Sequence, residues 1–326
     1  MIFPEPTALE KKPSFDDMPL VVRQGIEKMR GEKIVGGQTV YGSISAAASF
    51  IVTFSSGQRW FVKGSYPGEM SHGAANLRQE VFAYRKVAFI SQSSPVFYGL
   101  VQESDDSGWL LGLWEYIPAI SLPPTTDLFA FLPDFHAAQA PLIDMASHPF
   151  LGQMRSDEKK WRRIRDDQIV QEKFLSLFDD NKAGQLWLEK NIEKLCSLQK
   201  EAATFSFKSG LVHGDLRRDH FLFDGEKYFL VDWPNACIGP LAFDRVFLGA
   251  DLLRLGDARA KGAWEDEDDC PLMGATVAGY FADQAYRAVP EKMPRLRWMQ
   301  KGMLAAVLMQ LSELGIIDSP PRFKDK

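Results

Sequence analysis

The stretch that decides the fold spans residues 211–244 and reads LVHGDLRRDHFLFDGEKYFLVDWPNACIGPLAFD. It holds two carboxylates, Asp215 and Asp232, and each follows an apolar segment of strand-like composition. Between them, alternating apolar residues flank an Asp-Gly pair at 224–225, which is typical of a tight turn between antiparallel strands. Strands joined by a short turn lie side by side, so this hairpin should bring Asp215, His220 and Asp232 to one end.

These residue types fit phosphoryl transfer. One carboxylate must orient and deprotonate an alcohol while others hold Mg²⁺ against the phosphates, because the chemistry consists mostly of positioning and charge neutralisation. The HGD at 213–215, a ligand position at 220 and the Asp-Trp pair at 232–233 resemble the catalytic core of the aminoglycoside phosphotransferase and choline kinase-like family. The resemblance implies a bilobal, protein kinase-like α+β fold, with Asp215 as catalytic base and Asp232 as metal ligand. The alternative is a plain β-hairpin with two capping aspartates.

One position departs from the family pattern. His220 stands where the family usually has Asn. An imidazole is a softer ligand than an amide oxygen, and Mg²⁺ prefers hard oxygen donors. His220 is therefore predicted either as a second metal ligand or as a residue that hydrogen-bonds the loop.

The resemblance also divides the chain into lobes. Residues 1–13 are expected to form a flexible arm, and 14–113 a nucleotide-binding N-lobe with an antiparallel sheet and a helix. Residues 114–118 form the hinge, and 119–326 a mainly helical C-lobe that carries the catalytic hairpin and the acceptor site. Apolar spacing predicts a first helix that is capped by Asp16 or Asp17 and ends at Gly31, followed by a turn at 36–37.

Four N-lobe residues are candidates for holding the nucleotide phosphates. Ser43 and Ser45 lie in a small, polar segment where a kinase-like lobe has its phosphate-covering loop, although the full glycine-rich pattern is missing and an ordinary hairpin is the alternative. Lys63 ends an apolar strand, and Glu80 follows 17 residues later in a helical segment. A strand lysine paired with a helix glutamate is the kinase arrangement for the α- and β-phosphates. The alternative for Lys63 is a lysine that extends into solvent from a strand end.

The hinge and the C-lobe carry the remaining candidates. Trp114, Glu115 and Tyr116 resemble the hinge that binds the nucleotide base, the alternative being a plain interdomain linker. Arg218 could reach the transferred phosphate or pair with Asp219. An acidic run at 265–269 is either a solvated loop or a source of carboxylates for a cationic acceptor, and its candidate acceptor-binding residues are Glu265, Asp266 and Asp268.

The composition excludes several classes of protein. The chain has 326 residues, 45% of them hydrophobic and 25% charged, which is ordinary for a globular protein of two lobes. A net charge of −5 gives no basic face for nucleic acid. Three scattered cysteines give neither a disulfide framework nor a zinc site, so a reducing cytoplasm is expected. Neither a signal peptide nor an apolar run long enough to cross a membrane is present.

The sequence therefore predicts an ATP-dependent small-molecule kinase, with GTP as the alternative donor and Mg²⁺ as cofactor. Its acceptor is expected to be a hydroxyl of an aminoglycoside or similar antibiotic, an amino alcohol or a sugar. The competing hypothesis is a catalytically silent pseudokinase that binds a nucleotide or a partner protein, which the incomplete glycine loop and His220 favour. The sequence determines neither the acceptor nor the oligomeric state.

Overall fold

The computed structural model describes residues 4–68, 73–103, 108–138, 159–260, 262–264 and 269–325. The strands of these residues are β1 (Ile34–Thr39), β2 (Ala48–Phe54), β3 (Arg59–Ser65), β4 (Phe97–Gln102), β5 (Leu110–Glu115), β6 (Ser209–Val212), β7 (Phe221–Phe223), β8 (Tyr228–Leu230) and β9 (Cys237–Pro240). Their helices are α1 (Leu20–Arg30), α2 (Gly73–Lys86), α3 (Ala88–Ser93), α4 (Leu132–His136), α5 (Lys160–Asp166), α6 (Gln168–Leu175), α7 (Asn181–Thr204), α8 (Leu241–Arg254), α9 (Cys270–Gln284) and α10 (Leu296–Glu313). Within these ranges, no helix combines the length and the apolar composition that crossing a membrane requires.

The N-terminal part is an antiparallel sheet in the order β1-β2-β3-β5-β4, and the C-terminal part is mainly helical. The predicted bilobal, kinase-like α+β fold is confirmed. Strand β3 lies in the middle of the sheet, paired with β2 on one side and β5 on the other, so its residues are held on both edges. Helix α2 packs against β3 and β5, which fixes its position relative to the central strand.

The first helix begins later than its apolar pattern suggested. Helix α1 starts at Leu20, whereas Asp17 belongs to a separate short 3₁₀ turn capped by Ser14. Its predicted end is correct, because Gly31 has a φ of 78° and its N–H donates to the carbonyl of Glu27. Glycine tolerates this left-handed conformation, which closes a helix by satisfying its last carbonyls.

The turn predicted at 36–37 is wrong, because both glycines lie inside β1. The pairing of β1 with β2 shifts register between Ile34 and Gly36, so the strand has a bulge there. A Cβ on Gly37 would lie 2.4 Å from the ring of Phe15, and this close approach is what requires glycine. Gly37 thus lets the segment before α1 pack on the sheet without breaking the strand.

The helical part is built around α8, α9 and α10, which pack on one another and on α7. Helices α5 and α6 are separated at Asp167, which accepts hydrogen bonds from the backbone N–H groups of Ile169 and Val170 and so caps the start of α6. Pro133 lies in the first turn of α4, where its missing N–H costs nothing.

Candidate active site

The loop that carries Asp215 is anchored by two buried carboxylates of α8. Asp244 accepts from the backbone N–H groups of His213 (2.7 Å) and Gly214 (3.0 Å). Asp251, two turns later on the same helix, accepts from the backbone N–H of Arg218 (2.9 Å) and from the side chain of Arg254. The loop backbone is therefore held on both sides of Asp215 by charge-assisted hydrogen bonds that are shielded from water.

The second carboxylate lies at the end of the β7–β8 hairpin. The hairpin forms as predicted around its Asp-Gly pair, and the N–H of Val231 donates to the carbonyl of His220 (3.0 Å). His213 Nε2 donates to the carbonyl of Val231 (3.0 Å), so the HGD loop and the hairpin are joined directly. Asp232 follows with a φ of 71°, the left-handed region that non-glycine residues rarely occupy. This backbone conformation sets the direction of the Asp232 carboxylate, and the surrounding contacts must maintain it.

A lysine and two carboxylates meet at the centre of the site. Lys63 Nζ lies 2.5 Å from Asp232 Oδ1 and 2.9 Å from Glu80 Oε2. Burial opposes the charge on Lys63, but Asp232 and Glu80 outweigh that effect and raise its pKa. Burial likewise opposes ionisation of Asp232, yet the Lys63 ammonium holds its pKa well below the usual range. Lys63 is therefore a cation and Asp232 an anion at neutral pH.

Glu80 also contacts the loop after Asp232. Its Oε1 accepts from the backbone N–H of Trp233 (3.4 Å), while Oε2 faces Lys63. The Trp233 indole is fully buried and donates to Ser94 Oγ (2.9 Å). One helix residue thus couples the central strand of the sheet to the loop that carries Asp232.

Asp215 lies beside a buried arginine. Arg217 Nε is 3.5 Å from Asp215 Oδ1, and Arg217 is only 5% exposed. Burial raises the pKa of Asp215, and the Arg217 guanidinium acts in the opposite direction. A carboxylate with a raised pKa that is still ionised is a better proton acceptor than one with an ordinary pKa.

His220 faces three groups through one nitrogen. Its Nε2 lies 2.9 Å from Arg217 Nη2, 3.4 Å from Asp232 Oδ2 and 3.8 Å from Asp219 Oδ1. A guanidinium can only donate, so Nε2 accepts that hydrogen bond and its lone pair is occupied. The ring stacks on His213, with centroids 5.1 Å apart, and packs beneath the hairpin.

These residues surround a cavity of about 350 Å³ between the sheet and the helical part, and a second of about 200 Å³ adjoins it. The larger cavity is lined by Ser43, Lys63, Glu80, the residues 114–117, Asp219, His220 and Asp232. Asp215, Arg217 and Ser45 line the smaller one, and Lys63, Glu80, Ser43 and Asp232 line both. A cavity of this size, mostly apolar with a few convergent charges, is what a nucleotide-sized ligand requires.

The two phosphate-loop candidates occupy different places. Ser43 lies at the boundary of both cavities, and its hydroxyl accepts from Lys12 Nζ (3.3 Å). Ser45 faces the smaller cavity, and its hydroxyl accepts from the backbone N–H of Ala47 (3.2 Å), which fixes the local turn. Both therefore lie near the carboxylates, with Ser45 on the side of Asp215.

In the predicted hinge, residues 114–118, some backbone N–H and C=O groups are already hydrogen-bonded within the protein, so only the others are available to a ligand. The Glu115 N–H donates to the carbonyl of Val96 (2.8 Å), and its carboxylate accepts from the Val96 N–H (3.2 Å). The carbonyl of Ile117 accepts from Ala119 (2.8 Å). Trp114 is 4% exposed and packs in the apolar core against Tyr84, so its ring forms the wall of the cavity.

The other candidates are not brought to the cavity. The side chain of Arg218 is exposed and lines neither cavity, although its backbone N–H holds the loop. Glu265, Asp266 and Asp268 lie outside the described residues. The sequence reasoning missed Lys12 and Asp251 and gave Asp219 no role of its own. A lysine in a polar arm and an aspartate inside an apolar helix carry no local signal of the site.

The donor set fits magnesium in a limited way. The described residues contain no group of three or more His, Cys, Asp or Glu side chains that could enclose a metal. Mg²⁺ in phosphoryl-transfer sites uses one or two carboxylates and completes its shell with phosphates and water. Asp232 fits this need, since only its Oδ1 faces Lys63 and the side chain is 30% exposed to the cleft. His220 fits less well, because Arg217 occupies its Nε2.

The fold and the site together define a bilobal, kinase-like phosphotransferase. The model of the phosphotransferase enzyme family matches residues 40–291, more than half of the chain, so the chain belongs to that family. It is a small-molecule kinase that phosphorylates a hydroxyl group. A comparison with the curated proteins found no match.

Solved structures share the fold at low sequence identity. A Haemophilus somnus 129PT protein designated a fructosamine-3-kinase has a TM-score of 0.53 and 14% identity, covering 87% of this chain and 96% of that one. The GDP and kanamycin complex of APH(2")-IIia has a TM-score of 0.53 and 14% identity, covering 90% and 98%. The GDP complex of aminoglycoside 2'-phosphotransferase-IIIa has a TM-score of 0.52 and 15% identity, covering 89% and 97%.

Proposed function

We propose that this kinase transfers the γ-phosphate of ATP to a hydroxyl of a small, polar acceptor. The observation that carries the proposal is that Asp215 and Asp232 line one cavity together with Lys63. A base, a metal-binding carboxylate and a phosphate-binding cation are the three groups that this reaction needs in one place. GTP remains the alternative donor, and the GDP complexes of two structural relatives make it a required control.

In this proposal the nucleotide occupies the larger cavity. Its base meets the backbone of Tyr116 and the N–H of Ile117, because the backbone N–H of Glu115 is already bonded to Val96. Its phosphates lie beneath Ser43 and against Lys63, which Glu80 holds in place by the 2.9 Å ion pair.

The acceptor hydroxyl lies at Asp215 in the smaller cavity. Asp215 accepts the hydroxyl proton as the oxygen attacks the γ-phosphorus, and the bond from that phosphorus to the bridging oxygen breaks, so that ADP leaves. Arg217 at 3.5 Å keeps the carboxylate ionised and oriented. Asp232 would hold Mg²⁺, with His220 or Asp219 beside it, and the ion would neutralise negative charge on the phosphates. The two anchors on α8 keep the base from drifting away from the hydroxyl.

Amino sugars and other polyhydroxylated amines are the proposed acceptor class. Two of the structural relatives are, by name, a fructosamine kinase and a kanamycin complex of a phosphotransferase, and both names describe compounds that combine hydroxyl and amino groups. An acidic run at 265–269 would supply carboxylates for such amines.

The test is nucleotide consumption by the purified protein against a panel of aminoglycosides, fructosamines, amino alcohols and sugars. We expect one class to accelerate ATP or GTP consumption above the acceptor-free rate, with the phosphorylated product visible by mass spectrometry. Asp215→Asn is the control, because it keeps the shape of the site and removes the base. Equal activity in this variant and the wild type would reject the assigned mechanism.

A further inference from the structure

Lys12, in the arm before the kinase-like core, reaches the nucleotide cleft. Its Nζ lies 3.3 Å from Ser43 Oγ and 3.3 Å from Ser49 Oγ, and its side chain lines the same cavity as Lys63 and Asp232. The family match begins only at residue 40, so Lys12 is not part of the matched segment.

The surroundings of Lys12 do not satisfy its charge. Within the part of the chain that the structure describes, its ammonium contacts two hydroxyls and forms no ion pair with a carboxylate. The pKa of Lys12 is lowered to about 8, mainly by burial and also by the charges of Lys63 and Arg295, while Glu10 and Asp232 act in the opposite direction. A half-buried cation that has no anionic partner destabilises the fold. A negatively charged ligand would supply that partner for Lys12.

Buried contacts fix the position of this lysine. The carboxylate of Glu10, 2% exposed, accepts from Arg295 Nε at 2.9 and 3.0 Å, so the arm is bound to the start of α10. Arg295 Nη2 also donates to the backbone carbonyl of Ser43 (3.3 Å). One arginine of the helical part therefore holds both the arm and the phosphate loop, and Lys12 lies between them.

We propose that Lys12 is a second phosphate-binding cation of the nucleotide site and that Glu10 and Arg295 are its positioning residues. The inference rests on the proposed function, since it assumes that a nucleoside triphosphate occupies the cleft. The polyphosphate then passes between Lys63 and Lys12 beneath Ser43. The arm closes the nucleotide site from outside the family core.

The test compares Lys12→Met with Lys11→Met. Lys11 is the matched control, because it is the neighbouring lysine but forms an exposed ion pair with Glu291. Calorimetric titrations use the slowly hydrolysed analogues AMP-PNP and GMP-PNP with Mg²⁺, and adenosine and guanosine as ligands without phosphate. We expect Lys12→Met to weaken binding of the preferred analogue by about tenfold or more, the usual loss for one charge-assisted contact. Nucleoside binding and the Lys11→Met variant should be unchanged, and Lys12→Arg should restore most of the affinity.

A second readout separates phosphate binding from a structural role. Without ligand, Lys12→Met should melt at the same temperature as the wild type or higher, because it removes an unpaired charge. A lower melting temperature with equal loss of analogue and nucleoside binding would make Lys12 a structural residue and overturn the inference. Unchanged analogue affinity in Lys12→Met would also overturn it while leaving the proposed function intact. A wild-type protein that binds neither analogue would overturn both.

Discussion

Two lysines reach the same cleft in opposite electrostatic surroundings. On the carboxylate side, made of Lys63, Glu80 and Asp232, the lysine lies within 2.9 Å of two anions and its pKa is raised. On the hydroxyl side, made of Lys12, Ser43 and Ser49, the lysine contacts two hydroxyls and no carboxylate among the described residues, and its pKa falls to about 8. Carboxylates of the protein balance the charge of Lys63, whereas we infer that the phosphates of a bound nucleotide balance the charge of Lys12. Identical side chains in one cavity therefore differ in what they contribute to stability and to binding.

The largest expected effect is a loss of turnover when Asp215, the proposed catalytic base, is replaced. Asp215→Asn should cut turnover by at least about a hundredfold, because the amide cannot accept the hydroxyl proton. Nucleotide affinity should barely change, since both lysines and Asp232 remain. Steady-state kinetics together with a nucleotide titration measure the two quantities. A variant that retains most of its turnover would remove Asp215 from the mechanism.

The carboxylate side can be broken by Lys63→Met. This variant leaves Glu80 and Asp232 facing each other without their shared cation, so we expect a loss of about 2 kcal/mol in the free energy of unfolding without ligand. Lys12→Met should show no such loss, and this opposite response is the sharpest form of the comparison. Chemical denaturation of both variants in the absence of nucleotide provides the measurement. Equal destabilisation of the two would mean that their surroundings do not differ in the way described.

Nucleotide affinity should depend on pH through Lys12, the lysine of the hydroxyl side. With a pKa of about 8, Lys12 is charged at pH 7 and loses its proton as the pH rises to 9. A bound triphosphate raises that pKa, so above about pH 8 binding takes up a proton and affinity should fall by up to about tenfold per pH unit. Titration of AMP-PNP at pH 7.5, 8.5 and 9 tests this. A slope that persists in Lys12→Met would assign the titration to another group.

The same pKa fixes the sign of the effect on stability. Lys12 has a lower pKa in the folded chain than its ordinary value of 10.5, so its charge destabilises the fold fully below pH 8. That penalty should fade between about pH 8 and 10.5. The stability gain of Lys12→Met over the wild type should shrink over the same range, as urea unfolding at several pH values would measure.

The smallest effect is expected for a substitution of His220, which stands where the family usually has Asn. His220→Asn restores an amide oxygen and frees Arg217 from its hydrogen bond with Nε2. We expect activity to be retained, and to rise at low Mg²⁺, because the amide oxygen is a harder ligand. The activity is best followed across a magnesium titration. A large loss at every Mg²⁺ concentration would indicate that the imidazole has a role of its own.

The hairpin and the central ion pair were within reach of sequence reasoning. The Asp-Gly turn and alternating apolar residues dictate β7 and β8, and a short turn leaves Asp232 next to His220 whatever the rest of the chain does. The strand pattern before Lys63 and the helical spacing around Glu80 were equally local. The misplaced turn at 36–37 shows the limit of such signals, since Gly37 is explained only by the Phe15 ring that packs on it.

The sequence by itself determined the β7–β8 hairpin through a local pattern and a short turn, and its resemblance to the kinase-like family implied the order of elements and the pairing of a strand lysine with a helix glutamate. Only the tertiary structure decided that Asp251 anchors the loop and that Lys12 enters the cleft. The contact that positions Lys12 joins Glu10 to Arg295, 285 residues apart. A buried ion pair between such distant segments leaves no periodicity, spacing or turn to detect, and it exists only after both lobes have folded.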